Sequence, residues 1–313
     1  MKVCMLGSGA LGSAIGGVLT EGGNDVVLID AWAGHVDAIN SRGLTLRDGG
    51  VDRTVAARAA TCADGIGPAD LVVVLVKSYH TRDAIEKAAA IIGPDTVVMS
   101  LQNGLGHEEI LAEVVGRERV LAGKTYAGGV LLAPGHVIAG TQGKYTYIGE
   151  LDGRITPRAT RIAETFSRAG LPTEVSANIM GTMWDKLLIN VATGALAGIT
   201  RLPYGSLYAV PEIEQCALAA VAEGIGVAKA LGVTLTSENP ADAWRLAAEG
   251  LPKEFKTSML QSIEKGAATE IDFINGSVVR WGARTKVPTP VNQALVACVK
   301  GIEVWQREYA PRA

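Results

Sequence analysis

Directly after a short apolar start, the chain runs Gly7-Ser8-Gly9-Ala10-Leu11-Gly12, three glycines in the spacing G-x-G-x-x-G. Residues 3–6 before it have the unbroken apolar character of a buried parallel strand. Residues 14–20 after it read as a helix. Strand, glycine turn and helix in that order open a βαβ unit, and few other folds accommodate them. The first glycine permits the tight turn, the second lets a pyrophosphate approach the backbone, and the third lets helix and strand pack closely. Free N–H groups at the helix start then point at the phosphates. The spacing alone is a weak signal, since a glycine turn needs no ligand. Here it gains support from a second apolar run, 26–29, which ends in Asp30, 18 residues after Gly12. An acidic residue is expected about 20 residues on, where it accepts hydrogen bonds from a ribose.

The same alternation continues. Aliphatic runs at 71–76 and 96–100 are each followed by a polar turn and a helical stretch, which predicts a doubly wound α/β sheet. From 120 to 148 the pattern changes to short β-prone pieces (120–126, 130–132, 136–139, 145–148) separated by Pro134-Gly135 and Gln142-Gly143. These predict antiparallel strands extending the sheet. A helix at 157–169 and an extended piece at 173–175 complete the first half. Beyond Ser176 the chain reads as helices only: 178–200, 210–231, 241–249, 254–265, 270–284 and 290–308, with prolines near the breaks. The expected organisation is a dinucleotide-binding domain over 1–177 and an all-helical substrate and dimerisation domain over 178–313.

Composition narrows the function. Lys and Arg total 29 against 32 Asp and Glu, so no basic footprint points to nucleic acid. The most continuous aliphatic run is far short of the roughly 20 residues that cross a bilayer. Four separated cysteines with no CxxC pair, and a start that turns to glycine too early for a secretion signal, suggest a cytoplasmic enzyme with reduced thiols. Cys4 reads as a small core residue. His35, His80, His107 and His136 lack metal-ligand spacing. His107 reads as a helix start, and Trp184, Trp244, Trp281 and Trp305 as packing residues on helices. Asp30 favours NADH over NADPH: a carboxylate accepts the ribose hydroxyls but repels a 2′-phosphate, and Ala31, Trp32, Ala33, Gly34 and His35 bring no cation. The plainer alternative makes Asp30 a helix cap.

Taken together, several motifs resemble the ketopantoate reductase (2-dehydropantoate 2-reductase) family. They are the GSGALG loop, Val76-Lys77-Ser78, Gln102-Asn103-Gly104, Trp184-Asp185-Lys186-Leu187-Leu188-Ile189-Asn190, Thr257-Ser258-Met259-Leu260-Gln261 and Thr269-Glu270-Ile271-Asp272-Phe273-Ile274-Asn275-Gly276. The resemblance covers nearly the whole chain. It implies hydride transfer from NAD(P)H to the ketone of a small 2-oxo acid, in a protein that is often a homodimer. It also implies Lys186 as general acid, Asn190 and Ser258 as substrate contacts, and Glu270 as the acid between substrate and cofactor ribose. Asn103 and Lys77 would contact the cofactor beside Gly7, Ser8, Gly9, Ala10, Leu11 and Gly12, with Asn103 also reaching substrate. Glu223 falls near another acidic position of the family.

The chemistry is coherent by itself. Lys186 and Asn190 are spaced i, i+4, so they share a helix face. Hydride arriving at a carbonyl carbon leaves negative charge on oxygen, which an ammonium stabilises and then protonates. From spacing alone, a solvated lysine and a surface amide fit equally well. Two departures from the family stand out: Gly194 occupies the place of a frequent second asparagine, and Ser262 that of an aspartate. Gly194 either opens the substrate pocket to a different 2-oxo acid, as in an NAD-dependent D-2-hydroxy acid dehydrogenase, or lets helices cross closely. A nicotinamide-sensing protein without turnover is a third reading. It would have no use for Lys186, Asn190, Ser258 and Glu270.

Overall fold

The computed structural model describes residues 1–310. The chain divides into two compact units, 1–102 with 107–179, and 103–106 with 180–313.

The first unit is built on an eight-stranded sheet in the order β12-β11-β8-β7-β6-β1-β2-β5. Its strands are β1 (Lys2–Leu6), β2 (Asp25–Ile29), β5 (Arg58–Ala60), β6 (Leu71–Val74), β7 (Val97–Ser100), β8 (Val120–Thr125), β11 (Thr146–Glu150) and β12 (Thr173–Val175). From β5 across to β8 every pair is parallel, with Cys4 opposite Val27 on one side and Val72 on the other. This is the doubly wound sheet that the aliphatic runs predict. Strands β1, β6 and β7 bury nearly all their residues, because helices cover both faces. The helices of this unit are α1 (Ala10–Glu21), α2 (Ala33–Arg42), α3 (Thr81–Lys87), α4 (His107–Val115) and α5 (Pro157–Arg168). Cys4 lies in the core, where burial pushes its thiol up to about 11, so it packs as a small hydrophobe. Helix α4 begins at His107, as expected.

The expectation of antiparallel strands extending this sheet fails for two of the pieces. Only β11 extends the sheet in antiparallel fashion. The pieces near 130 and 136 form β9 (Gly128–Ala133) and β10 (His136–Gly140) of a separate four-stranded sheet, β4-β3-β10-β9. Its other members, β3 (Leu44–Asp48) and β4 (Val51–Val55), make a hairpin around Gly49-Gly50, both at positive φ. The second sheet closes over α1, whose start is so near β9 that a Cβ on Gly129 would lie 2.6 Å from the Ala10 carbonyl oxygen.

The second unit contains no strand among its described residues. It comprises α6 (Ile179–Thr200), α7 (Tyr204–Leu207), α8 (Pro211–Ala230), α9 (Pro240–Ala248), α10 (Ser258–Glu264), α11 (Asn275–Thr285) and α12 (Pro290–Glu308). Helix α10 starts at Ser258, later than the pattern predicts, because Thr257 caps it by accepting the Leu260 N–H. The expected single helix 270–284 is broken. A 3₁₀ turn, Ile271–Phe273, precedes α11, and Ile274 between them leaves the helical region at φ −105°, ψ −98°. Trp184 and Trp244 pack inside as expected, but Trp305 does not: about half of its surface is exposed.

Candidate active site

The glycine loop lies where chain connections turn from one side of the sheet to the other, between β1 and β6, the position that binds ligands in open α/β sheets. The three glycines differ in what they are needed for. Gly7 has φ +96°, and a Cβ there would lie 2.4 Å from the Val76 backbone nitrogen. On Gly12 a Cβ would lie 2.0 Å from the Gly7 carbonyl oxygen. On Gly9 it would meet nothing within 4 Å. The first and third glycines therefore let the protein pack on itself, and the second faces open space at the start of α1. No side chain caps that helix, so the backbone N–H groups of its first turn are available to an anion.

The loop is pinned from beneath. Gly7 and Ser8 N–H both donate to the Ile29 carbonyl at the end of β2. The buried Ser8 hydroxyl turns inward, toward the Met5 and Ile29 carbonyls, so both the side chain and the N–H of Ser8 are engaged within the protein. Ser13 donates to the Ser8 carbonyl at 2.6 Å, and His35 Nε2 lies 3.1 Å from the Ser13 hydroxyl. The Gly135 N–H donates to His35 Nδ1, so Nε2 carries the proton and the imidazole is neutral. Burial holds this histidine below its ordinary range, against an opposing pull from Asp30. Sequence reasoning gave His35 no role, because nothing local marks a histidine that ties the loop to α2 and to the turn before β10.

Asp30 follows β2, half-buried, and its Oδ1 accepts the Trp32 N–H at 3.0 Å. It orders the turn before α2, as the capping alternative anticipates in part, while Oδ2 remains available to a ribose. The neighbouring strand β5 ends at Ala60, whose carbonyl accepts the Asp30 N–H, and continues as Thr61-Cys62-Ala63-Asp64, again without a cation. Trp32 is 46% exposed and stacks on His35, an aromatic surface beside Asp30 that the sequence reading passed over.

Lys77 stands exposed after β6, at the start of a 3₁₀ turn, Ser78–His80. The turn is latched by Gln102, which donates to the Val76 carbonyl at 2.7 Å and to the Thr81 hydroxyl at 2.9 Å while accepting from Ser100. Gln102 is thus a positioning residue between two strand ends.

The remaining candidates lie in the second unit. Lys186 and Asn190 lie one turn apart on α6, both half-buried, flanked by the buried Trp184, Leu187, Leu188 and Val191. Asp185 beside them accepts the N–H and hydroxyl of Thr236 and so holds a loop rather than a substrate. Helix α10 lies across α6: a Cβ on Gly198 would be 2.9 Å from Ile263 Cδ1, while one on Gly194 would meet only Met259 Cε, at 3.7 Å. Gly198 therefore permits the close crossing. Gly194 is not required for it. This contact brings Ser258, the exposed first residue of α10, to the part of α6 that follows Asn190.

The turn carrying Asn103 packs within the second unit. Leu105 N–H donates to the Phe273 carbonyl at 3.0 Å, and a Cβ on Gly104, at φ +96°, would lie 2.2 Å from that same oxygen. Asn103 and Glu270 thus sit on two turns that are bonded together. The Glu270 turn is held from behind by α12. Glu303 accepts the N–H and hydroxyl of Thr269 at 2.7 and 2.6 Å, and Lys300 pairs with Asp272. Glu223 is placed elsewhere. Its carboxylate accepts the Val291 and Asn292 N–H groups and the Asn292 side chain, which makes it the cap of α12.

A dinucleotide-binding sheet whose glycine loop presents free N–H groups, joined to a helical unit bearing a lysine and an asparagine on one face, defines a nicotinamide-dependent oxidoreductase. Residues 3–153 match the family described as ketopantoate reductase PanE/ApbA, and residues 178–303 match that family's C-terminal domain. A 2-dehydropantoate 2-reductase of Pyrococcus horikoshii is 37% identical over 303 residues, covering 97% of this chain and 98% of the relative. A PanE/ApbA family ketopantoate reductase of Ralstonia eutropha superposes with a TM-score of 0.90 at 35% identity, covering 98% of this chain and all of that one. D-mandelate dehydrogenase, solved with NADH and anilino(oxo)acetate, superposes with a TM-score of 0.91 at 28% identity over 98% of this chain and all of that one. The chain belongs to the ketopantoate reductase family. No helix among the described residues is long and apolar enough to cross a membrane.

Proposed function

We propose that this chain is a 2-dehydropantoate 2-reductase, passing hydride from NADH to the ketone of its 2-oxo acid. In this reading 1–177 bind the dinucleotide and 178–313 bind substrate and a second subunit, in the cytoplasm. The observation that carries it is the face of α6. Lys186 and Asn190 project together from a helix whose other sides are buried, and α10 brings Ser258 to the same stretch. Each residue then has a task. The Lys186 ammonium stabilises the negative charge that develops on the ketone oxygen and protonates it. Asn190 donates to that oxygen and keeps it aligned. The Ser258 hydroxyl, at a helix N-terminus, receives the substrate carboxylate. Glu270 and Asn103, on their bonded pair of turns, are the further groups assigned to the reacting partners.

The dinucleotide supplies the hydride when bound. Its pyrophosphate would be held by the N–H groups from Gly9 to Gly12, with Gly7 and Ser8 shaping the loop and Lys77 at the next strand end. Asp30 would accept the adenosine ribose hydroxyls, beside the indole face of Trp32. The preference for NADH rests on Asp30 together with the cation-free ends of β2 and β5.

The test is a panel of 2-oxo acids, with 2-dehydropantoate, pyruvate and phenylglyoxylate, assayed with NADH and with NADPH. Reduction of 2-dehydropantoate is expected, faster with NADH. Lys186→Ala should lower kcat by about 10²- to 10⁴-fold, the usual contribution of a positioned proton donor. Turnover unaffected by that substitution would refute the role of Lys186, and a clear NADPH preference would refute the role of Asp30.

A further inference from the structure

On the reading that Asn190 and Ser258 receive the substrate, we propose that Tyr204 is their positioning residue: it ties the loop that delivers Ser258 to the stretch of α6 that carries Asn190, and so sets the separation of the two groups. Lys186, Asn190 and Thr193 are spaced i, i+4 and i+7, so they follow one another along one face of α6. Thr193 closes that run. It is 2% exposed, and its hydroxyl lies 3.2 Å from the Tyr204 hydroxyl, itself buried. Thr193 gives its own proton to the Ile189 carbonyl at 3.4 Å, so Tyr204 donates and Thr193 accepts. Burial raises the Tyr204 phenol above its ordinary pKa, so it keeps the proton it donates. Arg201, at φ +61°, turns the chain at the end of α6, and Tyr204 returns to a residue 11 positions earlier.

The same residue holds the loop before α10. The Tyr204 N–H donates to the Phe255 carbonyl at 3.0 Å, and the Gly205 N–H to the Lys253 carbonyl at 2.8 Å. These are first-turn donors of α7, which have no partner inside their own helix. The Tyr204 and Phe255 rings pack with centroids 5.0 Å apart. A Cβ on Gly205 would lie 2.8 Å from the Lys253 Cβ, so loop and helix are in direct contact. Residues 251–254 and 256 are exposed, and Phe255 is the one half-buried member of the stretch. The loop has no core of its own and takes its place from α7. Thr257 then caps α10, and Ser258 follows. Tyr204 therefore spans from a point one turn past Asn190 to a point three residues before Ser258. The crossing of Gly198 and Ile263 fixes the later part of α10, and Tyr204 fixes the approach to its start. A 2-oxo acid carries its ketone and carboxylate on adjacent carbons, so the groups that receive them need a fixed separation. A misplacement of about 1 Å costs as much as about 10²-fold.

The experiment is steady-state kinetics with 2-dehydropantoate and NADH on the wild type, Tyr204→Phe, Ser258→Ala and the double variant, with NADH affinity measured by calorimetry. Tyr204→Phe keeps the ring against Phe255 and both backbone bonds, so the fold is retained and only the tie to α6 is cut. Its KM for the acid should rise about three- to tenfold, the range one hydrogen bond spans. Its kcat should stay within about twofold, and NADH affinity should not change. In the Ser258→Ala background Tyr204→Phe should add nothing to KM, because it acts through Ser258. Thr193→Val should reproduce the effect of Tyr204→Phe, and Thr193→Ser, which keeps the hydroxyl, should behave as the wild type. A KM raised by Ser258→Ala but not by Tyr204→Phe would overturn the proposal alone. So would an equal effect of Tyr204→Phe with and without Ser258. A KM unmoved by Ser258→Ala would refute the role of Ser258 itself, and the tie with it.

Discussion

Glu223 offers a sharp test of whether an acidic residue in a family position serves chemistry or architecture. Its carboxylate receives three donors, the Val291 N–H at 2.8 Å, the Asn292 N–H at 3.0 Å and the Asn292 side-chain amide at 2.7 Å. Those two N–H groups are orphan donors of the first turn of α12, where Thr289 provides no side-chain cap. Glu223→Ala removes a charged acceptor from a helix N-terminus and from a fully buried amide. The Asn292 side chain keeps two partners, the Ala220 carbonyl at 2.9 Å and the Asn275 amide that donates to its Oδ1 at 3.0 Å, and Val291 is only half-buried, so water restores part of the loss. Hydrogen bonds to charged groups contribute about 1.5–3 kcal/mol each and are not additive, which puts the net destabilisation at about 3 kcal/mol. At roughly 2–4 °C per kcal/mol for a unit of this size, the melting temperature should fall by about 10 °C. Glu223→Gln keeps an acceptor oxygen and should lose less than half as much. Both variants, assayed well below their melting points, should keep kcat within about threefold if the residue acts only as a cap. An unchanged melting curve with a collapsed kcat would refute the structural account and give Glu223 a part in the chemistry.

Two further predictions concern the first unit. Gly9→Ala should leave the melting temperature unchanged while weakening NADH binding at least tenfold by calorimetry, since its Cβ meets no protein atom; Gly12→Ala, whose Cβ would fall 2.0 Å from Gly7 oxygen, should lower both. Equal effects of the two would show that Gly9 does not face the ligand. The neutral His35 predicts a pH dependence of stability: its folded pKa lies below the unfolded value of about 6.5, so the contribution is complete above that pH and declines as pH falls through it. Denaturant titrations from pH 7.5 to 5 should show this slope in the wild type and a flatter one in His35→Asn. Parallel curves would remove His35 as the cause.

The large features were legible because they are long and repeat a period. Helix α6 starts one residue later than read and ends where read, since 22 residues of apolar pattern leave little freedom. The parallel strands were legible because continuous Val, Ile and Leu belong in a doubly covered sheet. The second sheet was missed although a signal existed: Leu44 and Leu46 point inward on β3, and Gly49-Gly50 is a two-residue hairpin turn. Continuous apolar character misled at β9, where Val130, Leu131 and Leu132 are all substantially exposed on an edge strand. The break at Ile274 had no local mark; apolar residues at helical spacing run straight through it. Residues that hold the site, Gln102, Glu303 and His35, act across 26, 34 and 100 positions of sequence, and no spacing rule reaches that far.

Helix α12 shows why such residues matter. Its N-terminus is fixed by Glu223, and one side grips Thr269 and Asp272, the residues on either side of the Glu270–Ile271 pair. The Glu270 turn cannot hold itself, since three residues of 3₁₀ helix followed by a non-helical Ile274 carry few internal hydrogen bonds. Its position is therefore set by α12 together with α11, whose Arg280 donates to the Asp272 carbonyl, and the Asn103 turn bonded to Phe273 follows it.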